Sequence, residues 1–247
     1  MLASAKRVGL ARALSKLGYC SRAEAAGLIR RGKVHVNGAV RRDPETPVRL
    51  GQDRIEVGGH RIAAREKIYF ALNKPRGILT TSSDERGRST VYSLVDGDLP
   101  WVAPVGRLDK ASEGLLLLTN DSEWGARITA PETHLNKTYH VQIGKIADAA
   151  LLEALKNGVQ TREGDTLRVK AASLLRQGER HSWIEIVLDE GKNRHIRRML
   201  ETLGIAVLRL IRVAIGPLAL GELAKGAVRR LTAEEKLTLD RAMSEKR

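Results

Sequence analysis

Four consecutive leucines, Leu115, Leu116, Leu117 and Leu118, lie between Gly114 and Thr119-Asn120-Asp121. They constrain the fold more than any other stretch. An apolar run this short, bounded by turn-forming residues, reads as a buried β-strand, so the fold must contain a sheet around it. No apolar run in the 247 residues approaches the roughly 18 that a membrane span needs, and no membrane association is expected. Immediately upstream, Gly106-Arg107-Leu108-Asp109 places an arginine and an aspartate on a turn that feeds the strand. Such a turn can hold a carboxylate at the edge of a cleft with an apolar floor. By itself, an aspartate in a turn is more often structural than chemical.

Beyond residue 67, strand-like segments outnumber helices. A strand is expected over 68–72, ended at Asn73-Lys74-Pro75 because proline cannot continue sheet pairing. The polar, Gly- and Arg-containing stretch 80–90 reads as a surface loop. Over 138–143, Tyr139, Val141 and Ile143 alternate onto one strand face. A helix is expected over 149–155, closed near Gly158, and a strand over 183–188 that turns into a helix over 194–203. On that last helix Ile196, Met199, Leu200 and Leu203 form an apolar stripe, while Arg194, Arg198 and Glu201 point the opposite way. Arg197 falls at the flank, where a guanidinium reaches a buried partner while its stem packs.

The first quarter of the chain differs in charge. Residues 1–62 carry 13 Lys+Arg against 5 Asp+Glu, a net of +8, whereas the remaining 185 residues carry a net of +6. That concentration is an electrostatic footprint for a polyanion. It also has a folded pattern. Leu10, Ala13, Leu14 and Leu17 repeat at helical spacing before Gly18, and Ser21-Arg22-Ala23-Glu24 is a capping box opening a second helix that stops at Gly32. Val34-His35-Val36 reads as a strand, Asn37-Gly38 as a two-residue hairpin turn, and Ile55 with Val57 as a further strand before Gly58-Gly59. The acid-free stretch before Arg22 superficially resembles a transit peptide, but these residues fit a folded module better. Residues 63–67 carry little pattern and read as a linker. Cys20 is the single cysteine, which excludes an intramolecular disulfide and suits a reducing cytoplasm.

The string LARALSKLGYCSRAEAAGLIRRGKVHVNG resembles the small α-L RNA-binding domain first seen in a ribosomal protein. That resemblance implies RNA contacts from the helix-end basic residues Arg22, Arg30, Arg31 and Lys33, with Lys16 as a further candidate. Three later segments resemble the pseudouridine synthases that act on bacterial ribosomal RNA. GRLDKASEGLLLLTND carries Asp109 at the family's catalytic aspartate and Arg107 at its associated arginine. KTYHV carries Tyr139 at the tyrosine motif, and GKNRHIRRMLETLGIAVLRLIRVAIGPL carries Arg197 at the arginine that pairs with the aspartate. His195 departs from the glutamine more usual in that motif. Leu210 matches an apolar position near the base pocket, and Lys74 is a further RNA-contact candidate.

The resemblance implies an α+β fold: the basic domain over 1–62, then a catalytic domain over 68–247 with a mixed, largely antiparallel central sheet flanked by helices. The implied activity is isomerisation of a specific uridine in ribosomal RNA, leaning to the large subunit, without a guide RNA. The uridine must be turned out of its helix into a pocket, where Tyr139 offers a stacking face. Asp109, ionised, either attacks the ribose or assists removal of a sugar proton. Nothing is added or oxidised, so no cofactor is expected. The sequence offers no phosphate loop, no dinucleotide glycine fingerprint and no paired Cys or His spacing for a metal. The expected partner is ribosomal RNA or a pre-ribosomal particle, and the expected enzyme is a cytoplasmic monomer. The alternatives are a non-catalytic RNA-binding or ribosome-assembly protein, and a metal-dependent nuclease using Asp109 and Asp121, which lacks further clustered carboxylates.

Overall fold

The computed structural model of the chain describes residues 7–81, 87–95, 100–161 and 163–244. They divide into two units. One takes the described residues within Met1–Tyr69, Gly97–Ala103 and Leu118–Gly125, and the other those within Phe70–Asp96, Pro104–Leu117 and Ala126–Arg247.

The first unit opens with β1 (Arg7–Gly9), α1 (Leu10–Lys16) and α2 (Arg22–Arg30), followed by short strands β2 (Val34–Val36), β3 (Ala39–Arg41), β4 (Pro47–Arg49), β5 (Ile55–Val57) and β6 (His60–Arg61). The strands order β3-β2-β5-β6 in one antiparallel sheet, and β1 pairs with β4 in a small second one that the sequence pattern did not reveal. The capping box is present, with Ser21 Oγ accepting from Glu24 N–H and the Glu24 carboxylate accepting from Ser21 N–H. At the other end of α2, Gly32 has φ +69°, and its N–H donates to the Ile29 carbonyl while that of Lys33 donates to Leu28. This is the left-handed helix stop that glycine permits. Asn37 and Gly38, at φ 52° and 82°, make the β2–β3 hairpin turn. Leu10, Leu14, Ile29, Val34 and Val48 form the core.

A large sheet falls mostly in the second unit and contains β7 (Tyr69–Lys74), β8 (Ala103–Val105) and β9 (Glu113–Thr119), of which Tyr69, Ala103, Leu118 and Thr119 belong to the first. After α3 (Ser122–Thr129), which belongs to the first unit as far as Gly125, come β10 (Lys137–Ile143), α4 (Ala149–Asn157) and the small pair β11 (Val159–Gln160) with β12 (Thr166–Leu167). Then follow β13 (Ala171–Gln177), β14 (Ser182–Leu188), α5 (His195–Thr202), β15 (Val207–Ile215), β16 (Leu218–Ala219), β17 (Val228–Arg230) and α6 (Ala233–Ser244). The sheet order is β13-β14-β10-β15-β9-β7-β17, with β16 beside β15 and β8 beside β9. β10 is antiparallel to both β14 and β15, whereas β15 and β9 run parallel, so the sheet is mixed and mostly antiparallel. All seven residues of β9 are buried, as the leucine run demands.

The first strand of this unit runs through Asn73 and Lys74 before Pro75 ends it, two residues beyond the expected stop. Ile196, Met199 and Leu200 of α5 pack with Val141, Ile143, Ile184 and Ile186 in the core, and Tyr139 lies against the same cluster. Leu203 departs from the expected stripe: it caps the helix and is 38% exposed. Of the loop expected over 80–90, residues 82–86 lie outside the described residues. Its described ends are joined, with Leu79 N–H donating to Ser89 and Val91 N–H donating to Leu79.

Candidate active site

Between β8 and β9 the chain makes the turn carrying Asp109, and every carbonyl from 109 to 112 is occupied. The Lys74 ammonium donates to the carbonyls of Asp109 (3.1 Å) and Ser112 (2.9 Å), and also to Pro75 (3.2 Å). Gly77 N–H donates to the Lys110 carbonyl at 2.7 Å, and Arg197 Nη2 donates to that of Ala111 at 3.0 Å. Ser112 N–H closes the turn on Asp109. On the other side, Thr80 Oγ1 donates to the Leu108 carbonyl and accepts from its N–H. The backbone below the aspartate is therefore fixed before any substrate arrives, the condition for a precisely placed reacting group.

The Asp109 carboxylate accepts no hydrogen bond from the described residues, and its side chain is 34% exposed. Its nearest cation is Arg194, with Nη1 3.9 Å from Oδ2. This corrects the sequence reading in two ways. Arg197 does not pair with the carboxylate but with the turn's backbone and, at 3.4 Å, with Ser112 Oγ. Arg194 does not point away: it precedes α5 in a left-handed conformation, φ 49°, so the helical wheel does not apply to it. Burial lowers the Arg197 pKa, Arg194 lowers it further, and Asp109 partly offsets both.

Asp109, Arg107, Tyr139, Arg197 and Leu210 line one cavity of about 440 Å³. Leu210 and Tyr139 come from adjacent strands, and Arg107 is exposed at the turn. The Tyr139 hydroxyl makes no hydrogen bond to the described residues, leaving ring and hydroxyl available. Lys137, Asp189, Arg194 and Arg212 are among the lining residues that sequence reading missed. Lys137, Arg194 and Arg212 all lie inside quoted motifs, but only strand pairing brings Arg212 opposite Tyr139. Burial, assisted by Arg212 and opposed by Asp189, lowers the Lys137 pKa to about 8.

Two proposed RNA contacts are otherwise employed. Lys74 is 0% exposed, so its ammonium serves the Asp109 turn rather than a phosphate; burial lowers its pKa to about 8, with Asp109 and Glu113 opposing. Lys16 forms an ion pair with Glu123, within the first unit. Arg22, Arg30, Arg31 and Lys33 are exposed on that unit, and the exposed Arg41 and Arg42 join the helix-end cluster, Arg42 through a bond to the Arg30 carbonyl. The β2–β3 hairpin brings them there, which the helix pattern alone could not show. Among the described residues no three His, Cys, Asp or Glu side chains are grouped to hold a metal, and no helix is long and apolar enough to cross a membrane.

Comparison with known proteins agrees with this arrangement. Residues 8–55 match the S4 domain family, and residues 68–202 match the RNA pseudouridylate synthase family. The chain is 37% identical over 227 residues to "Ribosomal large subunit pseudouridine synthase B" of Bacillus subtilis (strain 168), covering 92% of this chain and 93% of that protein. It is 41% identical to an uncharacterized RNA pseudouridine synthase of Rickettsia typhi, covering 88% of each. A crystal structure of a pseudouridylate synthase superimposes with a TM-score of 0.66 at 30% identity, over 94% of this chain and 99% of that one. An S4 domain over residues 8–55, a synthase-family match over residues 68–202 and 37% identity across nearly the whole length of the Bacillus protein place the chain among its relatives: it belongs to the RNA pseudouridylate synthase family.

Proposed function

We propose that this synthase isomerises a uridine in large-subunit ribosomal RNA without a guide RNA, using Asp109 as the reacting carboxylate and Tyr139 as the stacking platform. The observation that carries the residue assignment is the Asp109 turn. Its carbonyls from 109 to 112 are all held, while its carboxylate accepts no hydrogen bond from the described residues and has only the 3.9 Å contact to Arg194, in a cavity shared with Tyr139. A nucleophile or base must be ionised and unencumbered, and a flipped uracil needs a flat face opposite it. Arg197 and Lys74 act here as positioning residues. Arg107 and Arg194, exposed beside the turn, suit the displaced RNA backbone.

The substrate class rests on the Bacillus relative, whose name refers to the large ribosomal subunit. The exposed Arg22, Arg30, Arg31 and Lys33 of the S4 domain provide phosphate-directed affinity. The test is tritium release from uracil carbon 5 in labelled ribosomal RNA, offered separately as large- and small-subunit RNA. Release from the large-subunit RNA alone, with the chain left uncut, is expected. Release only from small-subunit RNA would overturn the substrate assignment, and release by Asp109→Asn would overturn the residue assignment.

A further inference from the structure

Two cations in the cavity lack the acceptors that their burial calls for. Arg212 is 6% exposed, its Nε donates to the Leu115 carbonyl at 2.7 Å, and its Nη2 is buried with no partner among the described residues. Lys137, half-buried at the head of the neighbouring strand, makes no hydrogen bond or ion pair with them either. A buried donor without an acceptor costs free energy, and a second cation beside it adds repulsion. Asp189 lines the same cavity and partly offsets the Lys137 charge, but it makes no hydrogen bond or ion pair with either cation, so an entering anionic or strongly accepting group would complete the site.

The cavity grades from outside to inside. Arg107 and Arg194 are exposed, whereas Arg212 is buried opposite Tyr139 in strand register. The group that reaches deepest is the extruded base. By either route open to Asp109, the C1′–N1 bond breaks heterolytically and its electron pair departs with the uracil, spread over N1, O2 and O4. C5 then bonds to C1′, as the Asp109–C1′ ester bond breaks on the attack route or as the C2′ proton taken by Asp109 returns to C2′ on the other; the C5 proton leaves and N1 regains a proton, so the composition is unchanged. Negative charge thus appears on the base only during the reaction, and fixed donors aimed at such charge accelerate it.

We propose that Lys137 and Arg212 form a cationic floor that stabilises the detached uracil anion. This rests on the assignment of Asp109 and Tyr139 above. The test compares RNA carrying uridine at the target with RNA carrying 5-fluorouridine, whose base leaves more easily because fluorine stabilises the anion. Single-turnover disappearance of the N-linked nucleoside is followed by chromatography, with RNA binding measured in parallel. Arg212→Met and Lys137→Met are each expected to slow the uridine substrate by about 10²-fold, on the scale of losing one transition-state donor. The loss should shrink at least several-fold on the fluorinated substrate. Lys137→Arg, which keeps the charge, should recover most of the rate; it also carries the test should Arg212→Met fold poorly. Equal losses on both substrates would overturn the proposal in favour of a structural role, and a loss confined to RNA affinity would overturn it in favour of a phosphate contact. Asp109→Asn, run alongside, separates the two readings. Turnover there defeats the parent assignment, whereas equal Met-variant losses with Asp109→Asn inactive defeat only the cationic floor.

Discussion

The S4 unit and the catalytic unit use the same two side chains in opposite ways. In the S4 unit Arg22, Arg30, Arg31 and Lys33 stand exposed. Around Asp109, Lys74 and Arg212 are buried and Arg197 is half-buried, each donating to backbone carbonyls. Exposed cations are screened by salt and act through number, while buried ones act through geometry and fail singly. Loss of one surface arginine should therefore be graded and salt-dependent. Loss of one interior cation should change rate or stability while leaving the salt dependence of RNA binding alone.

The largest effect should come from the group those interior cations serve. Asp109→Asn is nearly isosteric, so rate should fall by about 10⁴–10⁶-fold with RNA affinity largely unchanged; single-turnover kinetics beside binding isotherms will check this. Arg197→Ala frees the Ala111 carbonyl from its donor and should cost about 10²–10³-fold in rate through misplacement of the turn. Arg197→Lys keeps one donor but not the planar fork, and should fall between. If both match wild type, the turn is held without this residue. Tyr139→Leu should lose about 10²-fold while Tyr139→Phe retains most activity, since stacking survives in Phe. Equal, severe losses in the same assay would assign the hydroxyl a part in proton transfer.

Lys74→Met should cost stability rather than chemistry alone, by about 2–4 kcal/mol, because it leaves carbonyls of the turn without their donor. It should also change the pH dependence of stability. The native ammonium releases its proton near pH 8, whereas in the unfolded chain it does so near 10.5. Between those values the unfolded state holds more protons, so stability contributed by this group rises with pH across the window and is flat below it. Urea unfolding at pH 7 and pH 9.5 should show a smaller rise for Lys74→Met than for wild type; in the remainder Lys137 adds to the rise, while Cys20, whose burial raises its pKa to about 11, subtracts from it. The smallest effect is on the surface. Each of Arg30→Ser, Arg31→Ser and Lys33→Ser should reduce the slope of log affinity against log salt by about 0.7–0.9, and leave the rate of bound complex intact. An unchanged slope would remove that residue from the RNA interface.

What sequence disclosed divides along similar lines. Local devices were legible: the capping box at Ser21, the Gly32 stop, the Asn37-Gly38 turn and the buried leucine strand each follow from neighbouring residues. Asp109, Tyr139, Arg107 and Leu210 were found through motif resemblance and converge on one cavity. Lys74 was read as an RNA contact, and its burial follows from β7 lying between β9 and β17, which local sequence does not show. Arg194 was misread because a left-handed backbone at one position breaks helical phase. Arg212 was missed because its place depends on β15 pairing with β10 and β9 together, a non-local fact that no spacing encodes.

One backbone contact limits how this cleft can be reshaped. At the parallel seam of β9 and β15, Gly114 has φ +101°, and a Cβ there would lie 2.3 Å from the Arg212 carbonyl oxygen. Main chain, not a yielding side chain, fills that space. The width between the strand that follows the Asp109 turn and the strand carrying Leu210 and Arg212 is consequently set by bare peptide. Directed evolution toward a bulkier base must make room by trimming Tyr139 or Leu210, because spreading the two strands would break the sheet that supports both sides of the cleft.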